Sequence, residues 1–262
     1  MHQASRVLVA MMATAASLSA QVSVTSDVAF NSQYQWRGIS ITNRPVIQPD
    51  LIVAVPMGRA TLTAGAWASF EAGRYNGERH ISENGGQHAG LSEYDFYVET
   101  AIPVRKATFT VGATTYSYPN TAGLTSSLNT LETYAKAAFD VPLAPSLAVW
   151  QDVQTVKGAY AELSLSQGVG PISVGALAGW NFGQSVGDGG ASGNFDRRGF
   201  THADVSASTK FSLGGMTATP SAHVILTNDP FTCIATPLRQ SRTKLWAGMT
   251  LSWARELGKG NK

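Results

Sequence analysis

The chain carries 17 acidic side chains, 19 basic ones and five histidines in 262 residues. Their spacing limits what chemistry they could do. The acids Asp27, Asp50, Glu71, Glu93, Asp95, Glu99, Glu132, Asp140, Asp152, Glu162 and Asp204 each fall on the polar parity of an alternating segment. So do Gln33, Arg37, Lys136, His202, Lys210, His223 and Lys244. Gathered on one surface, they form a mixed wall with an acidic excess. Such a wall favours cations or neutral polar solutes in a narrow pore, or it locks neighbouring strands through cross-strand ion pairs. Ester hydrolysis would need a serine beside a histidine held by a third polar group, facing lipid near a rim. His202 and His223 lie on the inward parity instead, so no catalytic residue is assigned and no enzyme is expected. His80 and His88, near Glu78 and Glu83, show no closed ligand spacing, and neither a metal nor a cofactor is expected. The run GDGGASG, Gly187 to Gly193, lacks the Lys-Ser/Thr and the helix of a phosphate loop.

The segments that carry these residues read as strands. From Val22 to Gly38 the apolar Val22, Val24, Val28, Phe30, Tyr34 and Trp36 alternate with Gln21, Ser23, Thr25, Asp27, Asn31, Gln33, Gln35 and Arg37. A period of two means a strand with one apolar and one polar face. Ordinary strands run about 5–6 residues, and this one is about three times as long. Eleven further segments repeat the pattern, near 47–57, 61–71, 93–104, 108–114, 132–141, 147–153, 159–166, 172–182, 202–211, 216–224 and 244–253. Twelve is an even number, and no helical periodicity of any length interrupts it.

Composition narrows the class. Gly is abundant at 26 residues, charged residues make up 14%, and the formal net charge is only +2. That balance suits an all-β chain with many turns and gives no electrostatic case for nucleic acid. Residues 1–20 read as a cleaved export signal, with Arg6 ahead of the apolar run Val7 to Ala16 and small residues at Ser17 to Ala20. The single Cys233 excludes an internal disulfide framework. Residues 21–262 then form one domain.

Twelve amphipathic strands can close around an apolar core in water, or invert so that apolar residues meet lipid. Ionic residues deep within the strands, Ala-rich apolar faces and aromatics near segment ends (Tyr34, Trp36, Phe70, Phe139, Trp180, Phe182, Phe211, Trp253) favour inversion. Tight connections near Gly58, Arg105, Pro142, Gly168 and Gly214 alternate with longer polar ones near 72–92, 119–130, 183–199 and 227–241. The connections near 39–45 and 155–157 are short and break that rule. The expectation is an all-β, transmembrane, antiparallel up-and-down β-barrel of twelve strands in the bacterial outer membrane, with short periplasmic turns and long outer loops.

Tyr34-Gln35-Trp36-Arg37-Gly38-Ile39-Ser40, followed by Pro45, Gln48 to Leu51, and Ala64 to Ser69 (AGAWAS), resembles the first hairpin of the Gcw-type conserved hypothetical outer-membrane proteins, also called the TorF family. The resemblance implies a twelve-stranded barrel with no settled substrate. Gly248, Leu251 and Trp253 are similar to the signal by which the barrel-assembly machinery recognises its clients, except that nine residues follow Trp253.

The functional expectation is a narrow channel or uptake pore for small polar or cationic solutes. Its path is lined by Asp27, Gln33, Arg37, Asp50, Glu71, Glu99, Lys136, Asp152, Glu162, His202, Asp204, Lys210, His223 and Lys244. Arg37 stands out, inward and beside Gly38 near the outer mouth; it either captures ligand or clamps a neighbouring carboxylate such as Asp50 or Glu71. One alternative is a structural barrel without an open pore, bound to lipopolysaccharide phosphates through loop arginines such as Arg197 and Arg198. An outer-membrane lipid-modifying enzyme is the other. The partners expected are outer-membrane lipids, lipopolysaccharide and the assembly machinery.

Overall fold

The computed structural model describes residues 21–42, 44–72, 90–119, 129–184, 194–195, 197–228, 231–232, 238–239 and 241–257. The expected leader, His80, His88, Cys233 and Gly187 to Gly193 lie outside them.

Alternation does produce staves. They are β1 (Val22–Asn31), β2 (Val46–Met57), β3 (Ala60–Glu71), β4 (Gly90–Val104), β5 (Ala107–Ser117), β6 (Thr130–Phe139), β7 (Ser146–Asp152), β8 (Ala159–Val169), β9 (Ile172–Asn181), β10 (Gly199–Thr209, resumed at Phe211–Leu213), β11 (Met216–Thr227) and β12 (Thr243–Leu257). Each pairs antiparallel with the next, and β12 returns to β1 from Val22↔Leu257 to Asn31↔Gly248. The sheet therefore closes with every neighbour consecutive in sequence, an up-and-down barrel of twelve strands. Lipid cannot hydrogen-bond an open strand edge, so closure is the condition for spanning a membrane. Beyond Trp253 the last strand continues to Leu257, still paired with β1.

Side chains sort as an inverted protein. Leu51, Phe96, Val111, Val205, Leu245 and Met249 are exposed on the outer surface. The buried set is largely polar and ionic. β7 is only seven residues long, and the adjoining turn completes that part of the wall. Phe139 N–H donates to Pro145 O (3.0 Å), and Ser166 N–H donates to Leu143 O (2.8 Å). The two-residue turns at Gly58-Arg59, Arg105-Lys106, Gly170-Pro171 and Gly214-Gly215 gather at one end, here the turn end; the other is the loop end.

The first segment departs from expectation. β1 stops at Asn31, where its ladders to β2 and β12 both end. The chain then bends at Ser32-Gln33 and folds into a separate hairpin, Tyr34–Trp36 paired with Ile39–Thr42. Its two-residue turn, Arg37-Gly38, has φ of +49° and +79°, the geometry that matches hairpin twist and that a straight stave would not contain. Tyr34 and Trp36 therefore do not belong to a lipid-facing girdle. All four residues of Ile39–Thr42 are buried, and Ile39 and Ile41 pack with Tyr160 and Phe195 in the apolar cluster inside the barrel. The connection near 39–45 is short only if this hairpin is taken as part of the first stave; between β1 and β2 the chain has room for the whole hairpin.

Candidate functional site: the lumen and its inner hairpin

The hairpin tip crosses the lumen and is gripped from several sides. Arg37 forms a two-pronged ion pair with Glu132 on β6, Nη1 to Oε1 at 2.8 Å and Nη2 to Oε2 at 2.7 Å. Its guanidinium lies over the rings of Trp36 (4.3 Å), Tyr160 (4.4 Å) and Trp150 (5.0 Å). Planar charge between aromatic faces gains cation–π energy that grows as water is excluded. Burial opposes the charged guanidinium, but the adjoining Glu132 carboxylate outweighs it, and Arg37 holds its proton above its ordinary range. Glu132 also accepts hydrogen bonds from Tyr116 (2.9 Å) and Gln184 (2.7 Å), so its oxygens are fully used. On the far wall Lys244 of β12 donates to Gly38 O at 2.5 Å. His202 of β10 packs so closely on Gly38 that an added Cβ would collide with its ring.

Part of the β9–β10 connection closes over this latch. Gln184 N–H bonds to Asn181 Oδ1 (2.7 Å), its side-chain NH2 also donates to Gly158 O (3.2 Å), and its Oε1 accepts from Arg37 (3.1 Å) and Asn194 (3.0 Å). Phe195 stacks on Tyr160 at 5.5 Å. Around Arg37 and Glu132 the loop end of the lumen is thus filled by a dry network in which both charged groups are satisfied.

Below the latch the inward charges are only partly covered. Glu99 pairs with Lys136 (3.2 Å) and accepts from Tyr134 (2.8 Å). Asp204 pairs with His223 (3.1 Å), whose ring stacks on Trp246 at 3.9 Å. Asp27 and Asp50 face each other across β1 and β2; Asp50 accepts from Tyr97 (3.1 Å), and Asp27 Oδ1 has no partner among the described residues. Glu162 accepts from Tyr160 (2.9 Å).

A repeated device holds the tyrosines. Tyr97 on β4 lies over Gly65 of β3 and reaches Asp50 on β2. Tyr134 on β6 lies over Gly112 of β5 and reaches Glu99 on β4. Each ring occupies the space a Cβ would fill and ties together two strands that are not neighbours. Tyr160 lies likewise against Gly179.

The expected lining residues therefore separate into groups. Arg37, Lys244 and His202 belong to the grip on the hairpin, and the partner of Arg37 is Glu132 rather than Asp50 or Glu71. Glu71 is buried at the loop end of β3. Asp152 organises the short 153–158 connection: its Oδ1 accepts from the N–H groups of Gln154, Val156 and Lys157, its Oδ2 from Thr130. Gln33 donates to Leu245 O at 2.6 Å. Asp27, Asp50, Glu99, Lys136, Glu162, Asp204 and His223 face the lumen interior. Lys210 is exposed at the break in β10 near the turn end, and Asp140 is exposed in the β6–β7 turn, beyond the lumen. Arg197 and Arg198 are exposed at the loop end, Arg197 donating to Asn228 O at 2.5 Å. Trp36, Tyr97, Tyr116, Tyr134, Trp150, Tyr160 and Gln184 were not anticipated. The inward parity of the tyrosines and Trp150, and the glycines facing Tyr97 and Tyr134, were the available signal.

The family model described as "Bacterial protein of unknown function (Gcw_chp)" matches residues 14–186. The chain belongs to the Gcw_chp family. That match extends well beyond the first hairpin, on which the resemblance in the sequence rested. No curated protein matches this Gcw_chp chain. Among solved structures it resembles a chain from work on the in-meso crystallization of membrane proteins, with TM-score 0.51 and 6% identity over 91% of this chain and 85% of that one. Weaker likenesses are to the KdgM porin (TM-score 0.47, 10% identity, 88% and 98% coverage) and to an outer membrane channel from Pseudomonas putida F1 (0.47, 13%, 90% and 95%). At such identities the likeness speaks for fold alone. A closed, inverted, twelve-stranded barrel in a bacterial family places the protein in the outer membrane.

Proposed function

We propose that the protein is a narrow channel for small polar or cationic solutes whose loop end is closed by the inner hairpin. One observation carries the reading. The lumen divides into a dry layer around Arg37–Glu132 and a partly exposed layer in which Asp27, Asp50, Glu99, Glu162 and Asp204 outnumber Lys136 and His223. An acid-rich wall that water reaches suits cations, and a satisfied plug above it suits a gate. Among the described residues no serine hydroxyl bonds to His223, and the His223 ring is stacked on Trp246 within the lumen.

The dry layer also supports a second reading, a permanently closed barrel anchored to lipopolysaccharide phosphates by exposed loop-end arginines including Arg197 and Arg198. Planar-bilayer recording decides between them. Replacing residues 34–42 by a short Gly-Ser linker, with barrel formation verified by heat-modifiable gel mobility, is expected to give larger and cation-selective currents than the intact chain. Absence of current from both proteins sinks the channel. Unchanged lipopolysaccharide binding by Arg197→Ala/Arg198→Ala counts against those two as anchors.

A further inference from the structure

Two acids in the lumen play no part in the latch or in the exposed wall. Glu93 and Asp95 stand two residues apart on the inward face of β4, only 2% and 7% exposed. The Tyr34 and Tyr118 hydroxyls lie beside Glu93. Asp95 lies beside the Ser117 backbone, and its Oδ1 is buried without any partner among the described residues. Among the described residues the ion pairs join Arg37 to Glu132, Lys136 to Glu99 and His223 to Asp204, so no base neutralises either acid. The cross-strand neighbours of Asp95 are Trp67 and Tyr116. The hairpin covers both, with Tyr34 against Trp67 (5.6 Å) and Trp36 against Tyr116 (6.4 Å). Arg37, the cation of the hairpin tip, is committed to Glu132. Two carboxylates taken from water with no counter-charge are costly, and one orphaned oxygen marks where the missing charge belongs.

We propose that Glu93 and Asp95, with the hydroxyl oxygens of Tyr34 and Tyr118, hold a small hard cation of the alkali or alkaline-earth class at the root of the inner hairpin. Carboxylate and hydroxyl oxygens are what such ions take, with water completing the shell. Among the described residues no group of three His, Cys, Asp or Glu side chains is placed for a metal, so two carboxylates, the hydroxyl oxygens and water must supply the whole shell. Tyr34 begins the hairpin, so the ion ties the plug to β4, a second attachment besides the Glu132 latch. The site does not require an open pore; a permanently closed barrel would hold the ion equally well.

The test uses the full chain refolded in detergent, stripped with a chelator and exchanged into N-methylglucamine chloride. Sodium, potassium, magnesium and calcium chlorides are then titrated separately at fixed ionic strength. Tryptophan emission reports binding, since Trp67 faces Asp95 across the sheet, and heat-modifiable gel mobility reports the unfolding midpoint. At least one ion is expected to give a saturable emission change and to raise the midpoint by about 5–10 °C at a hundred times its Kd. Asp95→Asn and Glu93→Gln each lose that response, whereas Asp140→Asn, in the exposed β6–β7 turn, keeps it. No saturable response to any of the four ions overturns the proposal, and so does a response that survives in Asp95→Asn. If no ion acts and Asp95→Asn is more stable than the parent, a proton occupies the acid pair and the cation site is refuted. Binding is read without current, so failure here and failure of the channel reading are separate results.

Discussion

The lumen contains two kinds of inter-strand ion pair, and they differ in what surrounds them rather than in chemistry. At the loop end the Arg37 and Glu132 side chains are 5% and 1% exposed, stacked among aromatics and fully hydrogen-bonded. Toward the turn end the Lys136 and Glu99 side chains are 40% and 24% exposed. Water screens the second pair and leaves it a small stabilising effect, while the first must be complete or it is a liability. The same residue types therefore act as a structural lock in one layer and as a solvated, adjustable wall in the other.

Breaking the dry pair has the largest expected effect. Arg37→Ala or Glu132→Ala strands one buried charge and should lower unfolding stability by roughly 3–5 kcal/mol, read by urea titration of the refolded barrel. The double variant Arg37→Met/Glu132→Leu should lose less than either single change, because no orphan charge remains. A double variant at least as unstable as the singles would show that the latch is not dominated by desolvation. Next comes the shelf under the tyrosines. Gly112→Val forces Tyr134 off its seat and should cost about 1–3 kcal/mol with loss of the Tyr134–Glu99 bond; a neutral result would mean that the ring has room to move. Smallest is Lys136→Met, which should change stability by under about 1 kcal/mol yet shift reversal potentials toward cations in any variant that conducts. A stability loss as large as that of Arg37→Ala would erase the distinction between the two layers.

The wall was legible in the sequence because lipid on one side and polar side chains on the other enforce a strict period of two. All twelve staves follow from that alternation. The same rule concealed the hairpin. Tyr34 and Trp36 keep the rhythm of β1, and a short strand buried inside can alternate as well as one facing lipid. Arg37-Gly38 carried the correction, since two successive positive φ values make a hairpin turn. The pairing of Arg37 with Glu132 spans 95 positions and crosses the lumen, so no local spacing could reveal it. Gln184 is a single amide beyond the end of β9, with no pattern of its own. The tyrosine shelves were closer to legible, because Gly65 and Gly112 stand directly opposite Tyr97 and Tyr134 in the register.

The grip of Lys244 on Gly38 joins residues 206 positions apart. Gly38 follows the first stave and Lys244 lies near the start of the last, so the plug cannot be fully seated until the twelfth strand is in place. Such a distant contact comes late in folding, after its loop-closure entropy has been met by the wall. The hairpin is thus a record of completion. A chain truncated before β12, or stalled in assembly, keeps Glu132 but lacks the lysine that holds the tip against the far wall.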